Sequence, residues 1–134
     1  MADNENYGDP AEANESILNC VKAGCGIPAD HHEFDQMILP NINMAFGALF
    51  QIGVGDPDNP FVVTDDQQTW SEVTDQINME MIKTFVTLKT RQIFDPPSGA
   101  AADALNKVLD EVTWRIRVAV EEDMRINNTD WEEA

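Results

Sequence analysis

The chain has 134 residues, 43% of them hydrophobic, which suits one domain with a modest core. Its formal net charge is −17, from 8 basic and 25 acidic residues, so the clustered Lys and Arg of an ordinary nucleic-acid binder are excluded. No apolar run is long enough to span a bilayer, the acidic polar start does not read as a secretory signal, and Cys20 and Cys25 lack the spacing of a zinc motif.

Residues 1–14 read as an acidic arm, with Gly8, Asp9 and Pro10 as breakers. The first helix is expected over residues 15–25, with Asn14 as N-cap and Ile17, Leu18 and Val21 on its apolar side. Gly24, Gly26 and Ile27-Pro28 then stop it. Two free thiols, buried or half-buried on this helix, suit a cytosolic setting.

Asp30 is the expected N-cap of a second helix, with His31, His32 and Glu33 in its first turn. Phe34, Ile38, Ile42, Ala45, Phe46 and Leu49 recur at helical spacing, and Pro40 is expected to kink or split the helix near Leu39. Adjacent histidines on a helix do not share a face, so His31 and His32 read as solvated rather than metal-binding. Gly53-Val54-Gly55-Asp56-Pro57 ends the segment. Phe61-Val62-Val63-Thr64 is a short β-prone run, either half of a small hairpin or an extended loop that plugs the core. Thr69-Trp70-Ser71-Glu72 fits a capping box before a short helical turn.

The central helix is expected to start near Thr74 or Asp75 and to run to Phe94. At about 100° per residue, Ile77, Met81, Phe85 and Leu88 fall on one line and Ile82, Val86 and Ile93 on another, an arc too wide for a helix covered on one side. Asp95-Pro96-Pro97 is a hard stop, because neither proline donates an N–H and each disfavours the α region in the residue before it. Ile82, Phe85, Leu88, Phe94, Pro96 and Pro97 are therefore the expected structural core residues of this part of the chain.

The last helix is expected from Ser98 or Gly99 to Glu122, followed by an acidic tail over residues 123–134. Leu105, Val108, Leu109, Val112, Ile116, Ala119 and Val120 form its core stripe. Asp103 with Lys107 and Glu111 with Arg115 are acid-first i,i+4 pairs. Trp114 and Val118 lie on the opposite side, and such a pair one turn apart suggests a partner subunit. Arg115, Met124 and Trp131 join them as candidate interface residues, with Trp131 a candidate anchor on another chain. No catalytic constellation converges: there is no GxSxG elbow, no HExxH, and Gly53-Val54-Gly55 completes no nucleotide-binding loop. The expected fold class is mainly α, a four-helix bundle over residues 15–122, with a short β-like loop between the second and third helices and extended acidic termini.

The order of segments resembles the head–tail connector proteins of long-tailed phages. Ser16-Ile17-Leu18-Asn19-Cys20-Val21-Lys22 and Gly26-Ile27-Pro28 open the likeness. Phe34-Asp35, Ile42-Asn43 with Ala45-Phe46, Gln51-Ile52-Gly53-Val54-Gly55 and Thr69-Trp70-Ser71 follow in the order of that group. The most specific piece is Ile82-Lys83-Thr84-Phe85-Val86 with Leu88-Lys89, Arg91 and Phe94-Asp95-Pro96-Pro97, and Trp114-Arg115 comes near the end. The departures are Gly24-Cys25, where an apolar pair is expected, and Pro40. The resemblance implies a structural virion protein without enzymatic activity or cofactor. It would be a head-completion adaptor made in the host cytoplasm and built into the neck, forming a ring, typically a dodecamer, under the portal protein. The ring would extend a channel that passes DNA without binding it specifically, and would carry the stopper or tail-completion protein, with no membrane contact. The alternative on charge alone is an acidic regulatory or DNA-mimic protein that binds a basic partner; a small enzyme is a third reading, with no site to support it.

Overall fold

The computed structural model describes the backbone of residues 15–73 and 77–132, and side chains within that set as far as residue 126. Asn14, Thr74 and Asp75, offered above as helix starts, lie outside the described residues. Four α-helices pack together, and no strand occurs among the described residues, so the mainly α expectation holds. The helices are α1 (Ile17–Gly24), α2 (Asp35–Gln51), α3 (Met79–Phe94) and α4 (Ala100–Glu132), with a 3-10 turn at Trp70–Glu72 between α2 and α3.

Helix α1 is capped by Ser16, whose Oγ accepts the Asn19 N–H at 3.2 Å. It ends in a Schellman motif: Gly26 at φ 79° turns the chain, and Ile27 N–H returns to the Lys22 carbonyl at 2.8 Å. Helix α2 ends the same way, with Gly53 at φ 102° and Val54 N–H on the Leu49 carbonyl at 3.0 Å. A side chain at Gly53 would also run into Val120 of α4, whose Cγ1 lies 2.7 Å from where a Cβ would sit. Gly24, one of the departures from the connector pattern, has a packing reason. A Cβ there would overlap the Thr87 methyl of α3, so the missing side chain is what lets α1 lie this close.

The second helix does not begin at Asp30. It begins at Asp35, after Phe34, and the cause is a residue the sequence reading passed over. Lys22 is fully buried, on the α1 face that also carries Leu18. Its ammonium donates to the carbonyls of Ala29 and His31, at 3.2 and 2.6 Å, and pairs with the Asp35 carboxylate at 2.8 Å. Those carbonyls serve the cation instead of a helical ladder, and Asp35 anchors the first turn. Burial pushes the Asp35 carboxyl up, but hydrogen bonds from Lys22 and His32 outweigh it and hold it below the usual carboxylate value. His32 is exposed and bonds Asp35 through Nδ1 at 3.0 Å, outside the helix rather than in its first turn.

Pro40 does not split α2. The helix runs through it, on an exposed side where water can take the carbonyl freed at Gln36. Farther along, the Asn43 amide clips the β-prone run by accepting Val63 N–H at 2.8 Å and donating to the Val63 carbonyl at 2.9 Å. Val63 is buried, so of the two readings the core-plugging extended loop is correct. The capping box holds, with Thr69 N–H on the Glu72 carboxylate at 2.9 Å, and it fixes buried Trp70 against Phe46 at a ring-centroid distance of 6.3 Å.

Helix α3 starts under Asn78, whose Oδ1 accepts the Glu80 N–H at 2.8 Å, and packs against α1, α2, α4 and the 3-10 turn. Ile82, Phe85 and Val86 are buried and Leu88 is partly so, which bears out a helix covered on two sides. Each fully buried side chain of this size contributes about 1.5–3 kcal/mol. Ile93, expected on the second buried line, is exposed. Phe94 is partly buried, edge-on to Phe34 at 5.8 Å. The helix stops at Phe94 as the prolines require. Pro96 is exposed and Pro97 half-buried, so Pro96 acts on the backbone and not as a packed core residue.

In α4, Leu105, Leu109, Ile116 and Val120 are buried, while Val108, expected in the same stripe, is 46% exposed. The helix also passes its expected end at Glu122 and continues to Glu132. Glu111 and Arg115 close their pair at 2.9 Å; among the described residues Asp103 and Lys107 do not.

Three predictions test this packing. Gly24→Ala should lower the urea midpoint, because overpacking of about 1–3 kcal/mol exceeds the helix-propensity gain of roughly 1 kcal/mol, and Thr87→Ser, which removes the obstructing methyl, should restore it. An unchanged or raised midpoint for the single variant would refute the close approach. Lys22→Met should cost about 3 kcal/mol by removing the cation from a partly buried carboxylate and leaving two carbonyls without their donor. The folded-state Asp35 carboxyl titrates below its unfolded value, so its contribution is full above about pH 4 and is lost as pH falls through the folded pKa. Urea titrations from pH 5 downward should therefore show a shallower acid decline for Asp35→Asn than for the wild type.

Candidate functional site

Helix α4 buries one face against α3 and leaves the opposite face bare. Trp114 is 64% exposed and Val118 42% exposed, one turn apart, directly opposite the buried line of Leu109, Ile116 and Val120. Arg115 stands beside Trp114 and is held by Glu111. At helical pitch Arg115 points about 100° away from Trp114, so the exposed apolar pair is Trp114 and Val118. Met124, 57% exposed, does not join them, since at helical pitch it lies about 120° round from Val118. The Trp131 side chain lies outside the described residues, although its backbone is helical.

The structure adds a feature the sequence reading missed. Where α3 turns into α4 there is an apolar cleft of about 310 Å³. Leu88, Arg91 and Pro97 form one wall, and Ala104, Leu105 and Val108 the other. Small residues at Ala101 and Ala104 keep it open. The available signal was the Ala100-Ala101-Ala102 and Ala104 run beside the double proline, which leaves a gap next to a bulky helix end. Gln92 and Asn106 hold the two helices together beside it, Nε2 to Oδ1 at 2.9 Å.

A second cleft of about 210 Å³, of mixed lining, lies between His32, Asp35 and the Asp65-Asp66 loop. Its inner carboxylate, Asp35, is already engaged by Lys22. Among the described residues, no group of three or more His, Cys, Asp or Glu side chains is placed to hold a metal ion. Cys20 and Cys25 are free and half-buried. Burial pushes both thiols up, which leaves them protonated and poorly nucleophilic near neutral pH. No described helix is long and apolar enough to cross a membrane.

The described residues form four packed helices that carry an exposed apolar pair on α4, a helical bundle of the structural kind. The family model for phage connector proteins matches residues 17–123, from the first residue of α1 deep into α4. The chain belongs to the phage connector protein family. Membership implies a structural, non-enzymatic role in joining head to tail and assembly with other proteins of the virion neck. No curated protein and no solved structure matches the chain.

Proposed function

We propose that this chain is the subunit of an adaptor ring that docks beneath the portal protein after packaging, extends the DNA channel and receives the stopper or tail-completion protein. The ring contains many copies, typically twelve in the resemblance noted above, and its place is the neck of the virion. The observation that carries the reading is the exposed Trp114–Val118 ridge on the side of α4 away from the core. A monomer in solution gains nothing from such a pair, whereas a ring subunit needs apolar surface beyond its own core. The net charge supports the same reading. A channel that passes DNA is served by walls that do not bind phosphate, and a chain with 25 acidic and 8 basic residues has little with which to bind it.

In this reading the domain division is an acidic arm over residues 1–14, a helical adaptor body, and a C-terminal segment that reaches a neighbouring ring. Arg115 supports the ridge, while Met124 and Trp131 contribute to the contact made by that segment.

Two measurements test the proposal. Purified protein mixed with portal-bearing heads should co-sediment with them and add a ring visible by electron microscopy. Failure to bind packaged heads at micromolar protein would sink the connector-ring reading. Deleting residues 130–134 should leave the urea midpoint within about 0.5 kcal/mol of wild type, as expected for a surface change, yet weaken portal docking at least tenfold. Unchanged docking would remove Trp131 as an anchor.

A further inference from the structure

We propose that successive copies of this chain join head to tail, the Trp114–Val118 ridge of one copy seating in the cleft between Arg91, Pro97 and Ala104 of the next. This rests on the ring reading above and specifies which surfaces meet.

The cleft has the size and chemistry for one large side chain. Its volume of about 310 Å³ sits at the bottom of the range of roughly 300–1,000 Å³ usual for small-molecule pockets, and its lining is chiefly aliphatic. Trp is among the residues enriched as interface anchors. The cleft also carries a charge without a partner. Arg91 is half-buried, and among the described residues no carboxylate pairs with its guanidinium, although the chain has 25 acids for 8 bases. A guanidinium at the mouth of an apolar seat favours an aromatic face or a carboxylate.

The ridge offers both. Trp114 is its knob, and Asp110, one turn earlier on α4, is exposed and without a cation partner among the described residues. Seating Trp114 would bring Asp110 beside the cleft mouth, where Arg91 can take it.

A copy cannot fill its cleft with its own Trp114. Trp114 and Val108 are on one continuous helix, separated by about 9 Å along the axis and 120° around it. Nor can two copies satisfy each other symmetrically through the ridge alone, since that would leave both clefts and both Arg91 side chains empty. A contact between two different patches repeats from copy to copy, and it closes into a ring when the rotation per copy allows.

The test uses two surface variants and their mixture. Trp114→Arg destroys the ridge and keeps the cleft; Ala104→Arg blocks the cleft and keeps the ridge. Both positions are exposed on α4, so circular dichroism and urea midpoints should match the wild type. Light scattering across micromolar to millimolar protein should show the wild type associating, with each single variant weakened at least thirtyfold, the scale of an anchor residue. An equimolar mixture of the two should give a dimer and nothing larger, because one intact ridge and one intact cleft remain. The exchange Arg91→Asp with Asp110→Arg should associate more tightly than either single change. A wild type that stays monomeric at millimolar protein overturns the contact, whatever the portal assay gives. A mixture that stays monomeric while the wild type associates overturns this pairing of surfaces and leaves the ring reading standing.

Discussion

Helix α3 is covered by α1 and α2 from one direction and by α4 from another, and this allocation of apolar surface governs the rest of the molecule. A helix buried on two sides uses most of the core a chain of 134 residues can supply. The outer helices are then each covered on one face only. Loops close part of the remaining surface of α1 and α2, with Val63 and Trp70 drawn in beneath them, although Met37 and Met44 of α2 stay exposed. Helix α4 is left with the exposed Trp114–Val118 pair. That helix has 33 residues against 16 in α3, about 50 Å against about 24 Å, so it cannot be matched along its length by the helix it packs on. The Asp95-Pro96-Pro97 stop folds α4 back beside α3, as the Gln92–Asn106 bond between them reflects, and the excess length runs past the bundle.

The elements that rest on period and punctuation were legible in the sequence: α3 as a doubly covered helix, the stop after Phe94, the Gly-rich ends of α1 and α2, the capping box at Thr69, and the bare Trp114–Val118 pair. What was not legible depends on partners far away in the sequence. Asp30 is a good N-cap by type, yet Lys22 claims the carbonyls on either side of it and moves the start of α2 to Asp35. The hint was present, because Lys22 lies one turn after Leu18 on the apolar side of α1, where a lysine is buried only if something pairs with it. Pro40 carries an average penalty that solvent exposure reduces. Val108 follows the stripe in register but faces a gap left by alanines on its own helix, and no one-helix pattern reveals a gap. The Gly24 close approach depends on a methyl of Thr87, 63 residues away, and so was invisible from α1 alone.

The buried lysine also bears on why so acidic a chain keeps a tight fold. With 25 acids and 8 bases, most carboxylates must be solvated and mutually repelling. Lys22 is the cation taken wholly out of water, and it is used where it joins three parts of the chain at once: α1, the 29–31 turn and the start of α2. A buried pair of this kind adds little net stability over an apolar substitute, but it specifies one arrangement, since each alternative strands a charge. The same reasoning applies at the surface to Arg91. Spending one of eight basic residues beside an apolar cleft, with no paired carboxylate among the described residues, makes sense where the carboxylate comes from a second copy, as proposed above.

Charge and symmetry together favour a directional contact between copies. Two chains of charge −17 repel on approach, so any surface that joins them has to be apolar at its centre and locally neutralised at its edge. A face-to-face pairing of ridges would set Asp110 and Glu111 of each copy against those of the other, adding like-charge contacts to the net repulsion. A ridge placed in the cleft of the next copy avoids this. It would match Trp114 to aliphatic walls and Asp110 to Arg91, and it would leave a free ridge at one end of a growing chain and a free cleft at the other. Such an arrangement would end only by closing on itself, as the proposed ring requires.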